Sequence, residues 1–100
     1  MKNGIAGEQM ERRCFACNHV FLNERPVCHV VFFDDGEIQI DCGQDDHGEG
    51  DEFPKNFRPV GLNHIIARDE TVAALLAEEA PDVSFGRDSV DQPWSRYIIR

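Results

Sequence analysis

Apolar and polar positions change period along this chain, and the changes mark its elements. Residues 27–33, VCHVVFF, form a β-branched and aromatic run. Residues 37–42, EIQIDC, alternate strictly, with Ile38, Ile40 and Cys42 on one side and Glu37, Gln39 and Asp41 on the other. Period two is the mark of a half-buried strand. Between the runs lies Asp34-Asp35-Gly36, where Gly36 supplies the positive φ of a tight turn. The spacing predicts a β-hairpin over about 27–33 and 37–42. Two registers satisfy it. An even loop sets Phe33 opposite Ile38, Val31 opposite Ile40 and His29 opposite Cys42. A three-residue loop brings Phe32, Val30 and Cys28 to that face instead. In either register each buried side chain contributes roughly 1.5–3 kcal/mol before entropy is subtracted.

Upstream, residues 1–13 carry little apolar surface and read as a flexible tail, with the domain running from 14 to 100. Within it, residues 19–22, HVFL, read as a strand. Downstream, residues 41–52, DCGQDDHGEGDE, hold six acidic residues and three glycines and read as an exposed loop. Residues 53–59 hold two aromatics and two prolines and read as irregular. A helical period then appears. Leu62, Ile65 and Ile66 face inward from a helix over about 63–68. Val72, Leu75, Leu76 and Ala80 do so from a second over about 70–79, for which Asp69 is a suitable N-cap and Pro81 a stop. Residues 83–85 and 94–99 read as strands, and Trp94, Tyr97, Ile98 and Ile99 carry enough apolar surface that the C-terminus should dock. The predicted fold is α+β: a mostly antiparallel sheet built on the central hairpin, with both helices on one face and the C-terminal strands added.

Charge narrows the range of partners. The formal net charge is −9, which disfavours a nucleic-acid backbone and suits a basic protein partner. The acidic stretch supplies Asp45, Asp46, Glu49, Asp51 and Glu52 as the surface for such a partner. No apolar run reaches the 18 residues of a membrane span, and residues 1–13 resemble neither a secretory signal nor a transit peptide. The expected location is the cytoplasm, where the four cysteines stay reduced and bear on metal or packing rather than on disulfides.

The chemistry-bearing residues are Cys14, Cys17, His19, Cys28, His29, Cys42, His47 and His64. Cys14 and Cys17 have the spacing of half a zinc knuckle, but no second such pair follows. On a strand, Cys17 and His19 share a face, and Cys42 ends the second hairpin strand with His47 just beyond it. Cys17, His19, Cys42 and His47 are expected to converge at one end of the sheet. Up to four of Cys17, His19, Cys42, His47 and His64 are therefore candidate zinc ligands. The competing reading makes Cys17, Cys28 and Cys42 small buried hydrophobes. A third makes Cys17 and a neighbouring histidine a nucleophile and its base. An acidic chain opposes a thiolate, and no complete catalytic motif is present, so the expectation is a non-enzyme.

Several short signatures occur in order: Cys17-x-His19-Val20-Phe21, Arg25-Pro26-Val27, Asp35-Gly36, Cys42-Gly43 with His47, His64 with Arg68-Asp69, and Pro93-Trp94. Together they resemble a small bacterial family, domain of unknown function 2185, grouped with immunity-protein-33-like domains. The resemblance implies a compact α+β domain and a non-enzymatic, immunity-like module that binds and silences a toxin-like partner. It implies no catalytic residues. The alternative is a small zinc-stabilised Cys/His domain.

Overall fold

A computed structural model describes residues 12–99 of the chain. Six strands form one sheet: β1 (Arg13–Cys17), β2 (His29–Phe32), β3 (Ile38–Asp41), β4 (Phe57–Gly61), β5 (Val83–Gly86) and β6 (Ser95–Ile98), in the order β4-β1-β3-β2-β5-β6. Among the described residues the helices are α1 (Asn18–Phe21), α2 (Glu52–Lys55), α3 (Leu62–Arg68) and α4 (Thr71–Leu76). The fold is α+β, as the pattern predicts, and four of the five strand pairings are antiparallel. The exception is β1, which lies parallel to β3.

The hairpin takes the three-residue loop. Val30 faces Ile40, Phe32 faces Ile38 and His29 faces Asp41, so the even register with His29 beside Cys42 is not formed. The turn explains the choice. Phe33 N–H donates to the Glu37 carbonyl at 3.0 Å, Gly36 sits at φ +91°, and the Asp35 carboxylate accepts the Glu37 N–H at 2.9 Å. This loop buries Val30, Phe32, Ile38 and Ile40 together. Cys14 and Ala16 of β1 and Val83 and Phe85 of β5 extend the same layer. Leu62 and Ile65 of α3 and Val72 and Leu75 of α4 close over it, so the two longer helices cover one face of the sheet.

Three local expectations fail. Residues 18–21 form a helical turn rather than a strand, because the chain leaves β1 with Leu22 N–H bonded to the Asn18 carbonyl at 2.9 Å. Residues 53–59 are regular, divided between α2 and β4. The second long helix stops at Leu76: Glu78 and Glu79 bond three residues back, a tighter turn, and the Glu79 carboxylate is gripped by both terminal nitrogens of Arg12. The tail expectation for residues 1–11 lies outside the described residues, while Arg12 and Arg13 belong to the fold.

The C-terminus docks only in part. Trp94 packs on the core beneath the Arg87 guanidinium, 4.2 Å from its ring centre, and its indole N–H donates to Thr71 Oγ1 at 3.1 Å. Arg87 in turn is ion-paired with Asp69 and donates to the Val27 carbonyl. Asp69 does serve the entry of α4, accepting the Thr71 N–H at 3.0 Å one residue ahead of the cap position. Tyr97, Ile98 and Ile99 stay about half exposed, because β6 is the sheet's edge and among the described residues has β5 as its only strand neighbour. No helix among the described residues is long and apolar enough to cross a membrane.

Candidate metal centre

The parallel pairing of β1 and β3 builds the site. Phe15 is in register with Gln39 and Ala16 with Ile40, so both strands end at the same edge, and Cys17 and Cys42 leave them side by side. Each cysteine is followed by a histidine on a compact turn. His19 stands in α1, two residues beyond Cys17. His47 stands in the glycine-rich loop five residues beyond Cys42 and is 5% exposed. The ligand atoms of Cys17, His19, Cys42 and His47 all lie within 4.8 Å of one another. His19 Nδ1 is 3.4 Å from His47 Nε2, Cys42 Sγ is 3.6 Å from His47 Nε2, and Cys42 Sγ is 3.9 Å from His19 Nδ1. Four donors so spaced can hold a metal ion.

Neighbouring groups fix His47, Cys42 and His19. Asn56 Nδ2 donates to the His47 carbonyl at 2.7 Å and to the Glu52 carbonyl at 3.0 Å, and its Oδ1 accepts from Asn18 Nδ2 at 3.1 Å. One amide thus ties the His47 loop to α2 and α1. The His47 ring packs against Phe57 at 5.4 Å and edge-on to Phe53 at 6.4 Å. Gly48, the residue after His47, adopts φ +86°, and a Cβ there would come within 2.7 Å of Glu52 Cβ. Arg25 supplies the polar surround. Its Nη1 lies 3.3 Å from Cys42 Sγ and 3.3 Å from His19 Nδ1, while both terminal nitrogens donate to Asp46 at 3.1 and 2.9 Å. Arg25 holds the Asp46 carboxyl below the usual carboxylate range.

Burial pushes the Cys17 thiol up to about 11 and the Cys14 thiol up to about 12. Without a cation beside it, Cys17 is a protonated thiol at neutral pH and a poor nucleophile. A coordinated metal reverses this, because a metal-bound thiol is deprotonated outright.

The structure therefore brings together four of the five candidate ligands. His64 stands apart, exposed on α3. Cys17 and His19 do not share a strand face; the strand ends at Cys17, and the helical turn carries His19 back to it. Cys14 packs in the core, and His29 Nδ1 donates to the Asp41 carboxylate at 2.9 Å on the other side of β3. Of the acidic residues, Asp46 is engaged by Arg25 and Glu52 faces Lys55 at 3.8 Å. Asp45, Glu49 and Asp51 are exposed, with no ion pair among the described residues. Sequence reasoning missed Asn18 and Asn56, for which no local signal exists. It met Arg25 only as part of the Arg25-Pro26-Val27 signature. No family model, curated protein or solved structure matches the chain.

Proposed function

We propose that Cys17, His19, Cys42 and His47 hold a structural zinc ion, and that the chain is a zinc-stapled, non-enzymatic binding module. One observation carries the reading. Around a tetrahedral zinc with Zn–S near 2.3 Å and Zn–N near 2.05 Å, two nitrogens stand about 3.3 Å apart and a sulfur and a nitrogen about 3.5 Å. The distances here are 3.4 Å between the two nitrogens and 3.6 and 3.9 Å from Cys42 Sγ to them, with Cys17 Sγ within 4.8 Å of the other three. Two thiols and two imidazoles in that shape suit zinc over harder cations.

The surroundings favour a structural role. Four protein ligands fill a tetrahedron and leave no position for substrate. Cys17, Cys42 and His47 are all at most 5% exposed. The ion would join the two Cys/His segments directly, adding to the Asn56 and Arg25 contacts that already link them, and its binding free energy would become folding free energy. Arg25 beside Cys42 Sγ would balance thiolate charge and orient the ligand, the part an outer hydrogen bond commonly plays. The high-lying Cys17 thiol weighs against a thiol enzyme.

Metal analysis of the purified chain, with a thiol count on the same sample, tests this. The expected result is about one zinc per chain, two thiols that react only after chelation, and a melting temperature that falls on chelation. Zinc-free protein with an unchanged melt on added zinc overturns it, and leaves the four residues as core packing.

A further inference from the structure

The face of the sheet opposite α3 and α4 is only partly covered. Strand alternation puts Phe15, Val31, Phe33, Gln39 and Asp41 on it, and two clefts cross it, sharing Gln39 and Phe53. One, of about 450 Å³, is walled by Phe15, Phe33, Phe53 and Phe57, with Asp35 and Glu37 at its rim. The other, of about 550 Å³, is bordered by His29, Asp41, Asp45, Asp88 and Tyr97. Both volumes lie in the range of ligand-binding clefts. Phe15, Phe33 and Phe53 are 41, 39 and 39% exposed around the first. Scattered apolar side chains on a surface are ordinary, but three phenylalanines around one cleft make a contiguous patch of the kind that marks an interaction site.

Charge selects the occupant. No lysine, arginine or histidine lines the first cleft. In the second, Arg87 is committed to Asp69, His29 to Asp41, and His47 to the Cys/His cluster. Asp35, Glu37, Asp45 and Asp88 have no ion pair among the described residues. A second copy of the chain would bring another net charge of −9 to an acidic rim, and a nucleic acid would bring phosphates. We propose that this face docks a short segment of a basic partner protein, one that sets an aromatic or aliphatic side chain into the phenylalanine cleft and flanking lysines or arginines against Glu37, Asp35 and Asp45. This goes beyond the zinc reading and rests on it in one respect. The His47 ring packs on Phe53 and Phe57, so the ion that holds His47 also holds that wall of the cleft.

The test is an amide-shift titration of the full chain, its zinc content measured on the same sample, with a capped peptide of alternating lysine and phenylalanine. Shifts are expected at Phe15, Phe33, Glu37, Gln39 and Phe53. Glu37→Lys and Phe33→Ser, both at exposed positions that leave the core intact, should each weaken binding about two- to fivefold, and added salt should do the same. Dispersed spectra of both variants show that they fold. No shifts at millimolar peptide, or equal shifts from a glutamate–phenylalanine peptide, overturn the proposal. So does self-association of the chain through the same residues. A zinc-free sample that still shows the shifts would overturn the metal reading and leave the docking face standing. A zinc-loaded sample without shifts would do the reverse.

Discussion

Asn56→Ala should loosen the proposed zinc site without touching a ligand. The Asn56 amide donates to the His47 carbonyl at 2.7 Å and to the Glu52 carbonyl at 3.0 Å, and accepts from Asn18 at 3.1 Å. Each such bond contributes about 0.5–1.5 kcal/mol net. Because the side chain is only half-buried, the loss falls in the lower half of that sum, about 2 kcal/mol, which for a domain of this size lowers Tm by about 8–16 °C. The freed carbonyl belongs to a ligand residue, so zinc affinity should drop at least about tenfold, as when an outer partner of a metal ligand is lost. Asn56→Asp supplies the sharper comparison. It keeps the shape but lacks the donor, and should fall as far as alanine. Lys55→Ala serves as the control, since its ion pair with Glu52 is 69% exposed on both sides and contributes under about 1 kcal/mol. Thermal melts of zinc-loaded protein and a competitive zinc titration read both effects. An Asn56→Ala protein that melts within about 2 °C of the parent and keeps its zinc affinity would refute the reasoning.

Three further outcomes follow from the same structure. Gly48→Ala forces a Cβ into the left-handed region and within 2.7 Å of Glu52 Cβ, so it should destabilise by at least about 1–2 kcal/mol and weaken zinc binding, read by the same melts and titration. Phe32→Ala removes a 1%-exposed ring that meets Phe85 edge-on at 6.1 Å and should cost about 3–5 kcal/mol in denaturant unfolding. Asp69→Asn leaves the nearly inaccessible Arg87 guanidinium without its carboxylate and should cost about 3–5 kcal/mol at neutral pH. Burial acts to raise the Asp69 carboxyl, but hydrogen bonds from Thr71 and Arg87 outweigh it and hold it below its ordinary value. A depressed folded value means that the stabilisation is full above the unfolded value of about 3.9 and is lost as pH falls through the folded one. The gap between parent and Asn variant should therefore narrow below about pH 4; an equal gap in melts at neutral and acid pH would contradict the assignment.

Legibility followed locality. The hairpin could be read because strand alternation and turn chemistry act within a few residues, and Asp35 and Gly36 even carry the turn that selects its register. The inward faces of α3 and α4 could be read because helical spacing is equally local, and Leu62, Ile65, Val72 and Leu75 are all buried. Residues 18–21 could not, since His19, Val20, Phe21 and Leu22 suit a strand in isolation and coil only because the chain must leave β1 where it meets α2 and β4. The exposure of Tyr97, Ile98 and Ile99 was equally invisible, being decided by which strand ended at the sheet's edge.

The candidate site divides along the same line. The sequence by itself determined its donor inventory, four cysteines and four histidines in an acidic chain, and the α+β class of the scaffold. The tertiary structure decided which donors meet. Placing β1 between β3 and β4, parallel to β3, sets Cys17 beside Cys42 across 25 residues of chain and leaves His64 outside. That pairing is a property of no segment alone. It is the arrangement that buries Cys14 and Ala16 with Ile38 and Ile40, and non-local burial of this kind leaves no period or spacing in the chain.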